Sequence, residues 1–486
     1  MIGNYERASL TKRNSRILTT GLCIISVGVY FLGCVSLFFN ELQAFSYLPG
    51  FVTDANLVKV AAAFFTVIAV TAFLPKRASA QWLYIWFVFL LVIVPRFVVF
   101  GCQDRDWVYP YTCLMVFAIA CATCWIIKTV PLNAMNEKRL HYSAGFSQII
   151  VKTIIGLALL TVLYMIATKG FPSLRALNFD EIYEIRMLNS FPGVVKGLLS
   201  FLGVFAIPIT IILRLSQDDT KSAVVLTVMQ LLLFLWTANK AWLLVIILAW
   251  GVYFLKRSNL LSIPVVCGVL AGSIVALLLI CHFFDSNASL WLFSLFYRRL
   301  IIVPAVLGQA YFEFFLENPV VLLDGTIAGV ITPTPVQYET LAYQYQISQV
   351  VFNSSTGYAN TGVFGGEFAN FGIFAWVFIW LGMTIVALFL SKARTKAGEG
   401  FMLMLAAFLG FSMLNYSYIR LFLSLTGILV LVFIYVCARL IDVQSVDAVS
   451  LDDCNALVVP KGDEIQDTAP PTPSNAQHIP STTYMG

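Results

Sequence analysis

The sequence predicts an all-α, polytopic membrane protein. Three observations carry this. Of its 486 residues 59% are apolar and only 11% are charged, against roughly 45–50% and about 25% in ordinary soluble domains. Apolar runs of about 17–25 residues recur along most of the chain, the length a helix needs to cross a bilayer. Those runs do not alternate in the period-two pattern of a membrane β-barrel.

The elements follow in order. Residues 1–16 are basic, with Arg7, Lys12, Arg13 and Arg16 against Glu6, and are expected inside by the positive-inside rule. The first apolar run, about 17–39, is too long for a signal-peptide core and reads as an uncleaved anchor. Further spans are expected at about 58–74, 82–100, 111–127, 151–168, 197–213, 222–237, 241–255, 260–281, 371–390, 401–416 and 421–436. Spans seven and eight are short and joined by Ala238-Asn239-Lys240, a tight hairpin.

Roughly twelve spans place both termini in the cytoplasm. Inside segments before the tail hold about 18 Lys and Arg and outside segments about 11, the expected bias. Two larger outside loops are expected, at about 169–196 and 282–370. The membrane part is thus 1–441. The tail, 442–486, is acidic and then rich in Pro, Ser and Thr, as in Pro470-Pro471-Thr472-Pro473; it cannot bury enough apolar surface to fold and is expected to be a disordered cytoplasmic segment.

The charge balance gives no reason to expect nucleic acid. The ten cysteines have no disulfide rhythm. Cys121-x-x-Cys124 sits in a span without a second pair, so no metal centre or cofactor is expected. Cys102 and Cys113 flank a short loop, and the sequence leaves their pairing open.

The informative exceptions are cations on the outer side. Lys169, Arg175 and Arg186 lie in one outer loop, Arg298 and Arg299 in the other, and Lys240 at the hairpin tip between Trp236 and Trp242. Together they would make a cationic pocket beside a headgroup, where Arg forks suit phosphate and Lys supplies a point charge. The bland alternative is that they snorkel, or pair with Asp180, Glu181 and Glu184. Asn178-x-x-Glu181 has the form of a capping box and predicts a short surface helix to Leu188 holding Tyr183 and Arg186 on one face.

In the second loop Pro304 suits the first turn of a helix ending at Asn318-Pro319. Gln309, Glu313 and Glu317 would form a polar stripe opposite Leu307, Ala310, Tyr311, Phe314 and Phe315. Such a helix lies at the membrane interface or packs against other spans. The segment 360–372 has four glycines and two asparagines, a composition that can bring backbone N–H groups toward an anion. Glu367 is its one carboxylate, read either as a base or as an acid favoured by its helix N-terminus.

These motifs carry a resemblance. Arg-Arg-Leu-x-x-x-Pro-Ala (298–305), Tyr-Phe-Glu-Phe-Phe-x-Glu-Asn-Pro (311–319) and Asn360-Thr361-Gly362 … Gly365 … Ala369-Asn370-Phe371-Gly372 resemble the Wzy-type O-antigen and capsule polymerases, over about 169 to the last helix. The resemblance implies a GT-C-like membrane glycosyltransferase in a bacterial inner membrane, with its active site facing the periplasm. Its substrates would be undecaprenyl-pyrophosphate-linked oligosaccharide repeats in membrane lipid, joined with release of undecaprenyl pyrophosphate; a chain-length regulator is a further implied partner.

On that reading Arg186, Arg298, Arg299 and Lys240 bind the pyrophosphate. They act where the leaving group gains charge, which stabilises the transition state more than the ground state. Glu367 is the candidate base. Arg175, Tyr311, Asn360 and Asn370 are expected substrate contacts. Related ligases use a His as base; the only outward histidine here, His282, lies away from the motifs. Two rivals stand beside this reading. A flippase for the same lipids usually carries mid-membrane acids and internal repeats, and almost none of the former and none of the latter is seen. An O-antigen ligase would transfer finished polymer to a foreign acceptor.

Overall fold

A computed structural model describes residues 2–129, 144–172, 191, 193–284, 286–323, 335, 338, 341–354, 359, 361–393, 399–423, 432 and 434. The described residues form helices and connections, with no strand among them. Nine of their helices are long and apolar enough to cross a membrane. The chain is therefore a polytopic helical membrane protein. The predicted capping box at Asn178, the final span beyond 423 apart from residues 432 and 434, and the acidic tail lie outside the described residues.

The amino-terminal helices follow the hydropathy closely. Helix α1 runs Ile2–Asn40 and α2 runs Leu57–Phe73, capped by Asn56, whose side chain accepts from Val58 N and Lys59 N. The third span is one bent rod: α3 (Ala80–Val88), a π-helical turn (Phe89–Ile93) and α4 (Val94–Cys102). Its apolar window is wholly buried. Helix α5 is Val108–Thr129 and α6 is Ala144–Lys169. The sixth span repeats the bent design, with α7 (Gly193–Phe201), a π-helical turn (Leu202–Ala206) and α8 (Ile207–Ser216). Helices α9 (Thr220–Thr237) and α10 (Lys240–Arg257) form the expected hairpin, turned by Ala238 in the left-handed conformation at φ 50°. Helix α11 is Ile263–Phe283.

The bends have a chemical cause. Pro95 and Pro208 each follow a π-helical turn and cannot donate to the ladder, so a carbonyl is freed. In a bilayer such a group has no water to turn to. Leu90 O accepts from the Tyr30 hydroxyl of α1 at 3.1 Å. Gly203 O accepts from Gln230 Nε2 of α9 at 2.5 Å.

The region expected as the outer loop 282–370 differs most from expectation. It opens with a third bent rod: α12 (Asn287–Leu292), a ten-residue π-helical segment (Phe293–Ile302) and α13 (Val303–Glu317), with Pro304 after the π segment. The stretch Ala288–Glu317 is itself long and apolar enough to span. Two of its contacts are with links between helices. Phe293 stacks on Phe45 and Arg298 lies over the same ring. At the other extremity Glu313 pairs with Arg105 at 3.4 Å. Phe45 belongs to the link between α1 and α2, Arg105 to the link between α4 and α5. The two links meet, since Gln103 Nε2 donates to Gly50 O at 2.8 Å and Asn56 N to Gly101 O at 3.1 Å.

Helices α14 (Tyr343–Phe352) and α15 (Val363–Phe371) follow, then α16 (Ala375–Ala393), α17 (Glu399–Ser412) and α18 (Tyr418–Leu423). Helix α17 packs along α3, and α15 packs against α13.

Removing the Tyr30 hydroxyl by Tyr30→Phe leaves Leu90 O without its partner and opens no cavity. The expected cost is about 1–2 kcal/mol, read as a lowered unfolding midpoint in detergent; an unchanged midpoint would show that the freed carbonyl needs no partner.

Candidate functional site

Two polar centres lie at opposite ends of α14. Its ten residues rise about 14 Å.

The first centre is the π-helical segment that carries Arg298 and Arg299. Arg298 Nε and Nη2 both donate to the Ser294 hydroxyl, one turn earlier, at 3.1 and 2.7 Å. Its guanidinium lies 4.1 Å from the Phe45 ring centre and 5.9 Å from that of Phe51, a cation–π arrangement. The Phe51 ring in turn touches Phe352, the last residue of α14. Both arginines are half-buried. The segment is anchored from below by Tyr297, fully buried, whose hydroxyl donates to Cys34 O in α1.

The second centre surrounds the amino end of α14. The Tyr343 hydroxyl accepts from Arg420 Nη2 at 3.4 Å. Tyr311 donates to Ala359 O at 2.6 Å. Glu367, 0% exposed, accepts from Ile419 N at 2.9 Å through Oε1. It thus satisfies an orphan donor in the first turn of α18, a helix other than its own. Its second oxygen, Oε2, has no hydrogen-bond partner among the described residues, and neither do Thr361 Oγ1, Ser348 Oγ and Asn370 Oδ1. Asn370 uses its amide nitrogen on Gly366 O at 2.8 Å.

Two of the glycines of 362–372 have a visible packing role. They permit close helix packing. A Cβ on Gly362 would overlap the carbonyls of Met413 and Leu414, and Val363 N donates to Met413 O at 3.0 Å. A Cβ on Gly366 would come within 2.9 Å of Ser417 Cβ. Gly382 of α16 likewise makes room for the Tyr418 ring. These contacts bring Arg420 and Ser417 up against α15.

The structure therefore unites Glu367, Asn370 and Tyr311 at one centre and holds Arg298 and Arg299 at the other. It does not bring Arg298 against Glu367. Lys240 opens α10, which packs on α8, α9 and α17, whereas the Arg298 segment packs on α4, α11, α12 and α13; the Lys240 side chain lies outside the described residues, as do Arg175, Arg186 and Asn360. Cys102 and Cys113 are buried, free thiols. Glu313, half-exposed, takes Gln309 Nε2 at 2.8 Å besides Arg105, a surface pairing of small energetic weight.

Two charged residues escaped the sequence reading. Arg420 sits in the short helix α18, just after the turn that ends α17, a lone charge between two apolar runs. Arg96 lies inside an apolar run, 4% exposed. Its Nη1 donates to Val92 O, Nε donates to the Tyr109 hydroxyl at 3.3 Å, and its guanidinium lies 4.7 Å from the Phe364 ring centre. No carboxylate pairs with it among the described residues. A charge in an apolar span is a site signal by itself.

No family model, no curated protein and no solved structure matches the chain.

Glu367→Gln keeps an oxygen for Ile419 N and removes the charge, whereas Glu367→Ala removes both. If the residue only caps α18, the Gln variant retains thermal stability and function while the Ala variant loses about 1–3 kcal/mol of stability. A Gln variant that folds normally and is inactive assigns the carboxylate to chemistry. Separately, Gly362→Ala is expected to cost about 1–3 kcal/mol by overpacking, measured by the same unfolding assay.

Proposed function

We propose that the protein is a membrane glycosyltransferase that polymerises lipid-pyrophosphate-linked oligosaccharide repeats at the outer face of a bacterial inner membrane. The observation that carries the reading is the Arg298-Arg299 pair. Arg298 is held in one orientation by Ser294 and Phe45, beside the end of an apolar bundle. A preoriented guanidinium costs little to reorganise when a diphosphate gains charge.

In the proposed step, an acceptor hydroxyl oxygen bonds to the anomeric carbon of the donor sugar. The anomeric carbon–oxygen bond to the diphosphate breaks, and the lipid diphosphate leaves with the electron pair. The hydroxyl proton passes to Glu367 Oε2. The growing chain thereby moves from its own carrier onto the incoming repeat. Arg298 and Arg299 hold the departing diphosphate. The two centres are about the length of α14 apart, roughly 14 Å, a gap bridged by a diphosphate and the sugar it carries.

The face is part of the same proposal. Both extremities of the 288–317 rod contact links at one end of the bundle, so it lies across that end and does not cross. Single cysteines at Ser286 and Glu317, on a background silent to an impermeant maleimide, are expected to label from the same, periplasmic side. Labelling from opposite sides would overturn the arrangement.

Purified protein in lipid vesicles, supplied with synthetic lipid-linked repeats, tests the activity. The expected product is a polymer ladder with no added acceptor. Arg298→Ala and Arg299→Ala are each expected to lower the rate about 10²–10³-fold, the usual effect of removing one charge-stabilising donor. Transfer only to a foreign acceptor would indicate a ligase, and lipid translocation without bond formation a flippase.

A further inference from the structure

A small cavity lies between α13, α14, α15 and the start of α18. Tyr311, Tyr343, Gln344, Thr361, Ser417 and Arg420 line it, together with Gly366. It has room for about one water molecule and no more. Apart from Gly366, every residue of the wall carries a polar side-chain group.

Two of those groups have hydrogen-bonding capacity left over. Thr361, only 8% exposed, has a hydroxyl with no partner among the described residues. Ser417, 1% exposed, accepts from Arg420 N at 3.2 Å through Oγ, which leaves its own proton to give. The two belong to different pieces of chain, since Thr361 precedes α15 and Ser417 precedes α18. Gly366 lets those pieces approach, because a Cβ there would come within 2.9 Å of Ser417 Cβ. Buried polar groups are almost always paired, and a polar space of this size is what a buried water occupies.

Size and charge select the occupant. A hydroxyl or phosphate of a larger molecule would bring attached atoms for which there is no room. A chloride is broader than a water and would push the walls apart. A cation would face the Arg420 guanidinium, and like charges in a low-dielectric site repel strongly. A water fits on all three counts. It can accept from Ser417 while giving to, or taking from, Thr361.

We propose that the cavity is a buried-water site, in which one ordered water bridges Thr361 Oγ1 and Ser417 Oγ. Thr361 is then a positioning residue. Ser417 Oγ holds Arg420 N, and the adjacent Ile419 N supports Glu367. The water thus ties the start of α15 to the first turn of α18, the turn that Glu367 also holds. The bridge needs no transferase activity, so either reading can fail alone.

A structure of the full-length protein in lipid nanodiscs, resolved well enough to show ordered solvent, tests the site. Wild-type protein is expected to hold one solvent peak about 2.5–3.2 Å from both Thr361 Oγ1 and Ser417 Oγ. Thr361→Ser should keep the peak and Thr361→Val should lose it. The unfolding midpoint gives a second measure. Thr361→Val and Ser417→Ala are each expected to lower it. The double variant should lower it by less than the sum of the two, because either change breaks the same bridge. Thr361→Ser should return it to near the wild-type value. A wild-type cavity without a solvent peak, a peak that survives in Thr361→Val, or single shifts that simply add overturns the bridge. So does an anomalous peak in the cavity after a bromide soak, which would mark an anion site.

Discussion

The constraint behind the architecture is that no backbone carbonyl can be left bare in a bilayer. Three rods in this chain break the α-helical ladder with a π-helical stretch followed by proline, at Pro95, Pro208 and Pro304. Each break frees acceptors that an ordinary helix would consume. The solution seen at Leu90 O and Gly203 O is a side chain from a neighbouring helix, Tyr30 or Gln230. The bends are therefore bonds between helices as well as defects within them. They fix which helices are neighbours. They also fix the rod that carries Arg298 and Arg299 against α1, to which Tyr297 pins its π segment.

Charge burial follows the same logic. Arg96 gains no carboxylate; Val92 O, a tyrosine hydroxyl and an aromatic face share its guanidinium. Each is a weak partner compared with an ion pair, yet none needs a second desolvated charge, which is the larger cost of a buried salt bridge. Glu367 is handled by backbone: Ile419 N supports one oxygen, and the other has no partner among the described residues. Fully capped, the carboxylate would read as architecture alone. A half-satisfied one at membrane depth is expensive to keep, and that asymmetry separates it from Glu313, which is half-exposed and paired with Arg105 and Gln309.

Much of the fold was legible because hydropathy reads the one property that membrane helices share. The rods at 14–40, 80–102, 108–127 and 263–283 stand close to where apolar runs predict them. The same property misled over 288–317, expected in a loop and found as a rod as apolar as a span. Hydropathy records length and greasiness; it carries no direction, and it says nothing of the contacts that Phe293 and Glu313 make with two touching links. The glycines at 362, 366 and 382 show a second limit. Composition of 360–372 suggested a backbone cradle for an anion; the structure adds that Gly362, Gly366 and, outside that segment, Gly382 leave room for Met413, Ser417 and Tyr418, residues far along the chain that no local pattern names. Arg96 and Arg420 were legible in principle, as lone charges within an apolar run and between two of them.

Helix α14 ties these points together. Its two ends touch different parts of the chain: Phe352 packs on Phe51 beside Arg298, and Tyr343 meets Arg420 beside Glu367. Between them Ile347, Ser348 and Val351 are buried, so the helix is a spacer held on its inner face and not a free surface loop. On the proposed reading such a spacer has a use, since a carboxylate close to the diphosphate would oppose the charge that the arginines are proposed to stabilise. At ε of about 20, two unit charges 4 Å apart interact by about 4 kcal/mol, and at roughly 14 Å by about 1 kcal/mol. A distance set by one short helix would thus let the proposed diphosphate-binding arginines and the proposed base act on one substrate pair without cancelling each other.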